Sequence, residues 1–151
     1  MVTISSGFLW KYRTNVDQSG SLRCLFINHF VKQNITMKVI TLNQVEKKEV
    51  HMDGAHKAWK QMPLSSKDGA PVYAYRVFTV EPGGYTPYHQ HPYEHMNYII
   101  EGEGALVDEN GKETPLKAGD FALVHPDEKH QYRNKGDKPF KMICGVPKEF
   151  E

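Results

Sequence analysis

Two cysteines in 151 residues, Cys24 and Cys144, give no disulfide framework and no C-x-x-C metal clip, so a reducing cytoplasm is the expected setting. Charge of one sign is missing as well. The 19 Lys+Arg and 18 Asp+Glu leave a formal net charge of +1, which carries no electrostatic footprint for nucleic acid or an anionic membrane surface. No apolar run approaches the ~18 residues of a membrane span. At the N-terminus Lys11, Arg13 and Asp17 interrupt any signal-like stretch. Sustained helical periodicity is scarce; residues 53–62, DGAHKAWKQM, are the best helix candidate, and they are few. What remains is a soluble chain long enough to bury one core without staples.

The first 36 residues differ from the rest, with scattered apolar positions and a Ser-Gly-Ser interruption at 19–21. Met37 then reads like an independent chain start. Residues 1–36 are either an appended arm or an N-terminal extension that is not part of the natural chain.

From about residue 70 the text is β-rich. The segment VYAYRVFTV (72–80) ends at the turn signal EPGG, and MNYII (96–100) runs into EGEG. ALVD (105–108) meets Asn110-Gly111, a strong hairpin signal. ETPL, FALV (121–124), QYRN (131–134) and FKMICGV (140–146) follow, each bounded by turn residues. Short strands at such regular spacing predict an all-β sandwich or barrel.

Three of the eight histidines fall in one octapeptide, YHQHPYEH, at 89, 91 and 95. In a strand, alternate residues share a face. His89 and His91 therefore project together, and His95 has their parity. One segment supplies only one side of a coordination sphere, so a further ligand must come from a neighbouring strand. His130, opening a strand after a tight turn, is the best placed. Glu94 is the alternative donor, with opposite parity.

GGYTPYHQHPYEHMNYIIEG resembles the first signature of the cupin superfamily, Gly-x5-His-x-His-x3-Glu-x6-Gly, through Gly83, His89, His91 and Gly102. Gly119, His130 and Asn134 match the second, Gly-x5-Pro-x-Gly-x2-His-x3-Asn. His95 stands at the usual glutamate, His125 at the usual proline and Asp127 at the internal glycine. The resemblance implies a double-stranded β-helix (jelly-roll) barrel over 37–151. It also implies one divalent transition metal (manganese, iron, copper, nickel or zinc) on four histidines, His89, His91, His95 and His130. A small-molecule ligand or substrate and a homodimer, with strand exchange through 37–45, are expected too. An oxygenase-like metalloenzyme is the leading functional expectation. A non-catalytic cupin binding a sugar or organic acid is the alternative, and an isomerase or decarboxylase ranks third.

Parity also nominates pocket residues: Tyr132 with His130, Asn97 with His95, and Met142 with Cys144 on the last strand. His29, His51 and His56 read as surface positions, and His125 as a possible supporting group. Neutral imidazole is needed for ligation and its free pKa is ~6.5, so metal loss is expected below about pH 6.

Overall fold

The computed structural model describes residues 12–16, 22–26 and 37–151. The chain divides into two compact units, Met1–Thr36 and Met37–Glu151. The first contains two strands, β1 (Tyr12–Val16) and β2 (Leu22–Phe26), paired antiparallel.

The second unit is one curled antiparallel sheet. Its strands are β3 (Lys48–Glu49), β4 (His56–Leu64), β5 (Tyr73–Tyr85), β6 (His95–Glu101), β7 (Glu103–Val107), β8 (Glu113–Lys117), β9 (Phe121–Val124), β10 (Gln131–Asn134) and β11 (Phe140–Pro147). They follow the order β8-β7-β10-β5-β11-β6-β9, with β4 also paired to β5 and β3 to β4. The architecture is the expected double-stranded β-helix. No helix among the described residues is long and apolar enough to cross a membrane.

Alternation builds the interior. Ala74, Arg76, Phe78 and Val80 of β5 share one face; His95, Asn97 and Ile99 of β6, and Met142 and Cys144 of β11, do likewise. Ala58, Val80, Ile99, Leu116, Val124, Tyr132, Phe140 and Met142 form the main apolar cluster. Ala74, Cys144 and Val146 form a smaller one.

Two expectations need correction. Residues 53–62 are not helical: β4 covers most of them. Its period-2 pattern is hidden by two register shifts, one around Lys57 (φ 48) and one before Leu64, near Pro63. Pairing with β5 outweighs a weak local helix preference. EPGG is no turn either, because β5 runs through it to Tyr85, bending at Gly83, whose φ of 72° suits a residue without Cβ. In the single chain, residues 37–45 carry a 3-10 turn, Leu42–Gln44.

Between β6 and β7 the chain reverses at Gly102 (φ 80), where a Cβ would meet the Pro139 carbonyl oxygen at 2.3 Å. The last glycine of the first signature is thus required by a close backbone approach as well as by its φ.

Candidate metal centre

His89 and His130 face each other in an isolated antiparallel bridge, exchanging backbone bonds of 3.1 and 2.9 Å. β10 is fixed to the segment preceding His89: the Gln131 side chain donates to the Thr86 carbonyl (2.7 Å) and the Tyr132 N–H to the Thr86 hydroxyl (2.9 Å). His91 sits in the loop before β6, its carbonyl accepting the Asp127 N–H at 2.8 Å. The signature's internal glycine position is filled by Asp127 at φ 62, a left-handed conformation that Asp tolerates better than most residues.

The tautomers follow from the hydrogen bonds. Each of three histidines places Nδ1 on a backbone carbonyl: His89 on Pro87 (3.0 Å), His91 on Tyr93 (2.7 Å) and His130 on Glu128 (2.8 Å). A carbonyl only accepts, so Nδ1 carries a proton, and in the neutral ring Nε2 keeps its lone pair. The candidate ligand atoms of these three residues lie within 4.8 Å of one another. The His91 Nε2 is buried without a hydrogen-bond partner. Leaving such an acceptor unmet costs about 1–3 kcal/mol, and a bound cation would satisfy it. Three imidazoles, each oriented by a carbonyl, suit a divalent transition metal.

His95 is close but differently engaged. Its ring centre is 4.2 Å from that of His91 and 5.3 Å from that of His130. Its Nε2 accepts from Arg76 Nη2 at 2.9 Å, which occupies the lone pair needed for ligation. The structure therefore gathers three of the four expected ligands into one group and holds the fourth beside it. Glu94 turns away, accepting from the Tyr73 hydroxyl at 3.3 Å. His51, His56 and His125 are exposed, and His29 lies outside the described residues.

Burial sets the electrostatics. It pushes His130 down to about 4. It pushes His95 down to about 2, with the Arg76 charge as the next cause, and lowers His91 as well. His91, His95 and His130 are thereby held in the neutral form that ligation needs. Burial likewise raises the Tyr132 phenol and the Cys144 thiol, keeping both protonated.

The four parity-nominated pocket residues are all buried. The Tyr132 hydroxyl donates to Asn97 Oδ1 at 2.9 Å, and Asn97 Nδ2 donates to the Ile143 carbonyl at 3.4 Å and the Met142 sulfur at 3.9 Å. Cys144 Sγ accepts from Arg76 at 3.2 Å. Sequence reasoning missed two residues. Tyr93 stacks on His91 (centroids 3.9 Å, 6° between planes) and on Phe150 (4.2 Å, 9°). Arg76 is a cation on the inward face of an apolar strand, and its parity with Ala74, Phe78 and Val80 was a readable signal.

Known proteins resemble this chain in sequence and in fold. Gentisate 1,2 dioxygenase 1 of Aquipseudomonas alcaligenes is 31% identical over 65 residues, 43% of this chain and only 19% of that protein. L-ectoine synthase of Mycolicibacterium gilvum is 27% identical over 95 residues, 62% of this chain and 72% of its own length. The polyketide cyclase RemF of Streptomyces resistomycificus superposes with a TM-score of 0.70 at 26% identity, covering 74% of this chain and 80% of that one. Residues 76–146, which run from Arg76 through both histidine segments to the end of the smaller apolar cluster, match the family described as Cupin domain.

Proposed function

We propose that Met37–Glu151 is a metal-dependent unit acting on a small organic molecule. One divalent transition metal is held by His89, His91 and His130, and His95 becomes the fourth ligand when it gives up Arg76. The carrying observation is the ordered tautomer set: three Nδ1–H groups committed to carbonyls and three Nε2 lone pairs left together, that of His91 buried and unmet. Such a metal supplies Lewis acidity and, if redox-active, electrons for dioxygen chemistry. The protein's own groups do the rest. Tyr93 clamps the His91 ring, Tyr132 and Asn97 present a hydrogen-bonded polar wall, and Ile99 and Met142 keep the interior apolar.

Oxygenase-type chemistry is the leading specific reading, supported by the similarity to a gentisate dioxygenase. The structural likeness to a polyketide cyclase supports a second reading, ring closure without net oxidation. The unit pairs into a homodimer through the outward face of β6 and β9, which carries the exposed Met96, Phe121 and Leu123.

Elemental analysis of protein purified without added metal is the first test. His→Ala changes at 89, 91 or 130 are each expected to lower metal content roughly tenfold or more. His95→Ala lowers it too, and the exposed His56→Ala leaves it unchanged. Equal content in all five variants ends the reading. An oxygen electrode then separates the chemistries: uptake with metal-loaded protein and phenolic or diketone substrates supports oxygenation, and product without uptake supports cyclisation. Binding without turnover of either kind would identify a non-catalytic ligand carrier.

A further inference from the structure

The barrel interior contains a guanidinium with no counter-ion among the described residues. Arg76 is 7% exposed, on the inward face of β5. A buried arginine ordinarily meets a carboxylate or a phosphate, because an unpaired interior charge is costly. Among the described residues no Asp or Glu lies within ion-pair distance of it. Its bonds to His95 and Cys144 both use Nη2, and its Nε–H is buried with no acceptor among the described residues. Neither partner is an anion: an imidazole is neutral or cationic, and burial raises the Cys144 thiol and keeps it protonated.

The neighbours add positive charge. Lys60 of β4 pairs in register with Phe78, which puts it on Arg76's face of the sheet, and it is half-buried. Its ammonium is lowered by burial and then by the Arg76 charge. The guanidinium carbon is 5.4 Å from the centre of the Phe78 ring. One side of the histidine cluster is thus cationic, apolar in its surroundings and free of acids among the described residues.

We propose that Arg76 recognises the carboxylate of a small organic acid bound in the barrel beside the histidines, with Lys60 contributing to the same field. The inference rests on the reading of the histidine cluster as a small-molecule site and narrows its substrate class. A carboxylate matches the planar fork of the guanidinium. The apolar surroundings, with Phe78 against the buried Ile99 and Met142, suit an organic body rather than an inorganic anion. An arriving carboxylate also competes with His95 for the Arg76 donors, so acid binding releases the His95 lone pair.

The test uses the full chain, treated with chelator, in thermal unfolding and calorimetric titrations. Acetate, oxalate and benzoate are compared with acetamide, oxamide and benzamide. At least one acid is expected to stabilise saturably while its amide does not. Arg76→Met should weaken that binding roughly 10- to 100-fold, as expected for losing a charged hydrogen-bond partner. Arg76→Lys should retain part of it, and Arg133→Gln, at a surface ion pair with Glu113, should retain all. Equal effects of acid and amide, no saturable effect from any acid, or unchanged binding by Arg76→Met overturns the proposal. The acid–amide comparison stands on the unmutated chain even if a variant folds poorly. Metal content is measured alongside. Metal retained without acid binding sinks this inference alone, and Arg76-dependent acid binding in a protein that takes up no metal sinks the metal reading alone.

Discussion

At Asp127 the chain adopts φ 62 while its N–H holds the carbonyl of His91 at 2.8 Å. A side chain with a branched Cβ is strained in that conformation by about 1–2 kcal/mol, whereas glycine fits without strain but loses more backbone entropy on folding. Asp127→Gly should therefore leave unfolding free energy within about 1 kcal/mol of the parent, and Asp127→Val should lose about 1–2 kcal/mol. Denaturant titration measures both. Identical stability of the two variants would show that the left-handed conformation is not maintained. The same residue marks the limit of what spacing can reveal. The histidine positions and the inward parity of Tyr132, Asn97, Met142 and Cys144 were legible, because a strand alternates its faces. The Arg76–His95 bond was not, because it joins residues 19 apart in sequence on strands whose adjacency to β11 only the fold creates.

Among the elements, β9 is an edge strand with an apolar outer face. Phe121 is 80% and Leu123 53% exposed, and they pair with Tyr98 and Met96 of β6, while Ala122 and Val124 turn inward. Edges of this kind are normally covered or charged to prevent uncontrolled association. If a second copy covers this face, Phe121→Glu should convert a dimer to a monomer in sedimentation velocity at micromolar concentration without changing metal content. A monomeric parent chain refutes the pairing. The strands themselves were largely legible: Phe121–Val124 and Gln131–Asn134 match FALV and QYRN residue for residue. The short β1, β2 and β3 were not read, and at β4 and the C-terminal end of β5 irregularities interrupt the period on which a sequence reading depends.

For the whole molecule, burying neutral imidazoles ties stability to pH. His130 is faced by His89, His91 and His95, and by the Glu128 carbonyl that accepts from its Nδ1. Burial dominates and brings it to about 4 in the folded protein, against ~6.5 for an unfolded histidine. The unfolded chain thus takes up a proton at this residue before the folded one does. Its contribution is present in full above about pH 6.5 and is lost as pH falls towards 4. At ~1.4 kcal/mol per pH unit, the loss from this residue approaches about 3 kcal/mol across that window. His95, brought to about 2, adds a loss of the same sign that continues to lower pH. Metal-free protein should therefore lose stability steeply between pH 6.5 and 4, by more than the amount assigned to His130 alone. His130→Asn should flatten that slope by about one proton's worth while leaving the His95 part in place. Urea midpoints at half-unit pH intervals measure it, and a profile that is flat from 6.5 to 4, or unchanged by the substitution, would mean that these rings are hydrated in the metal-free protein.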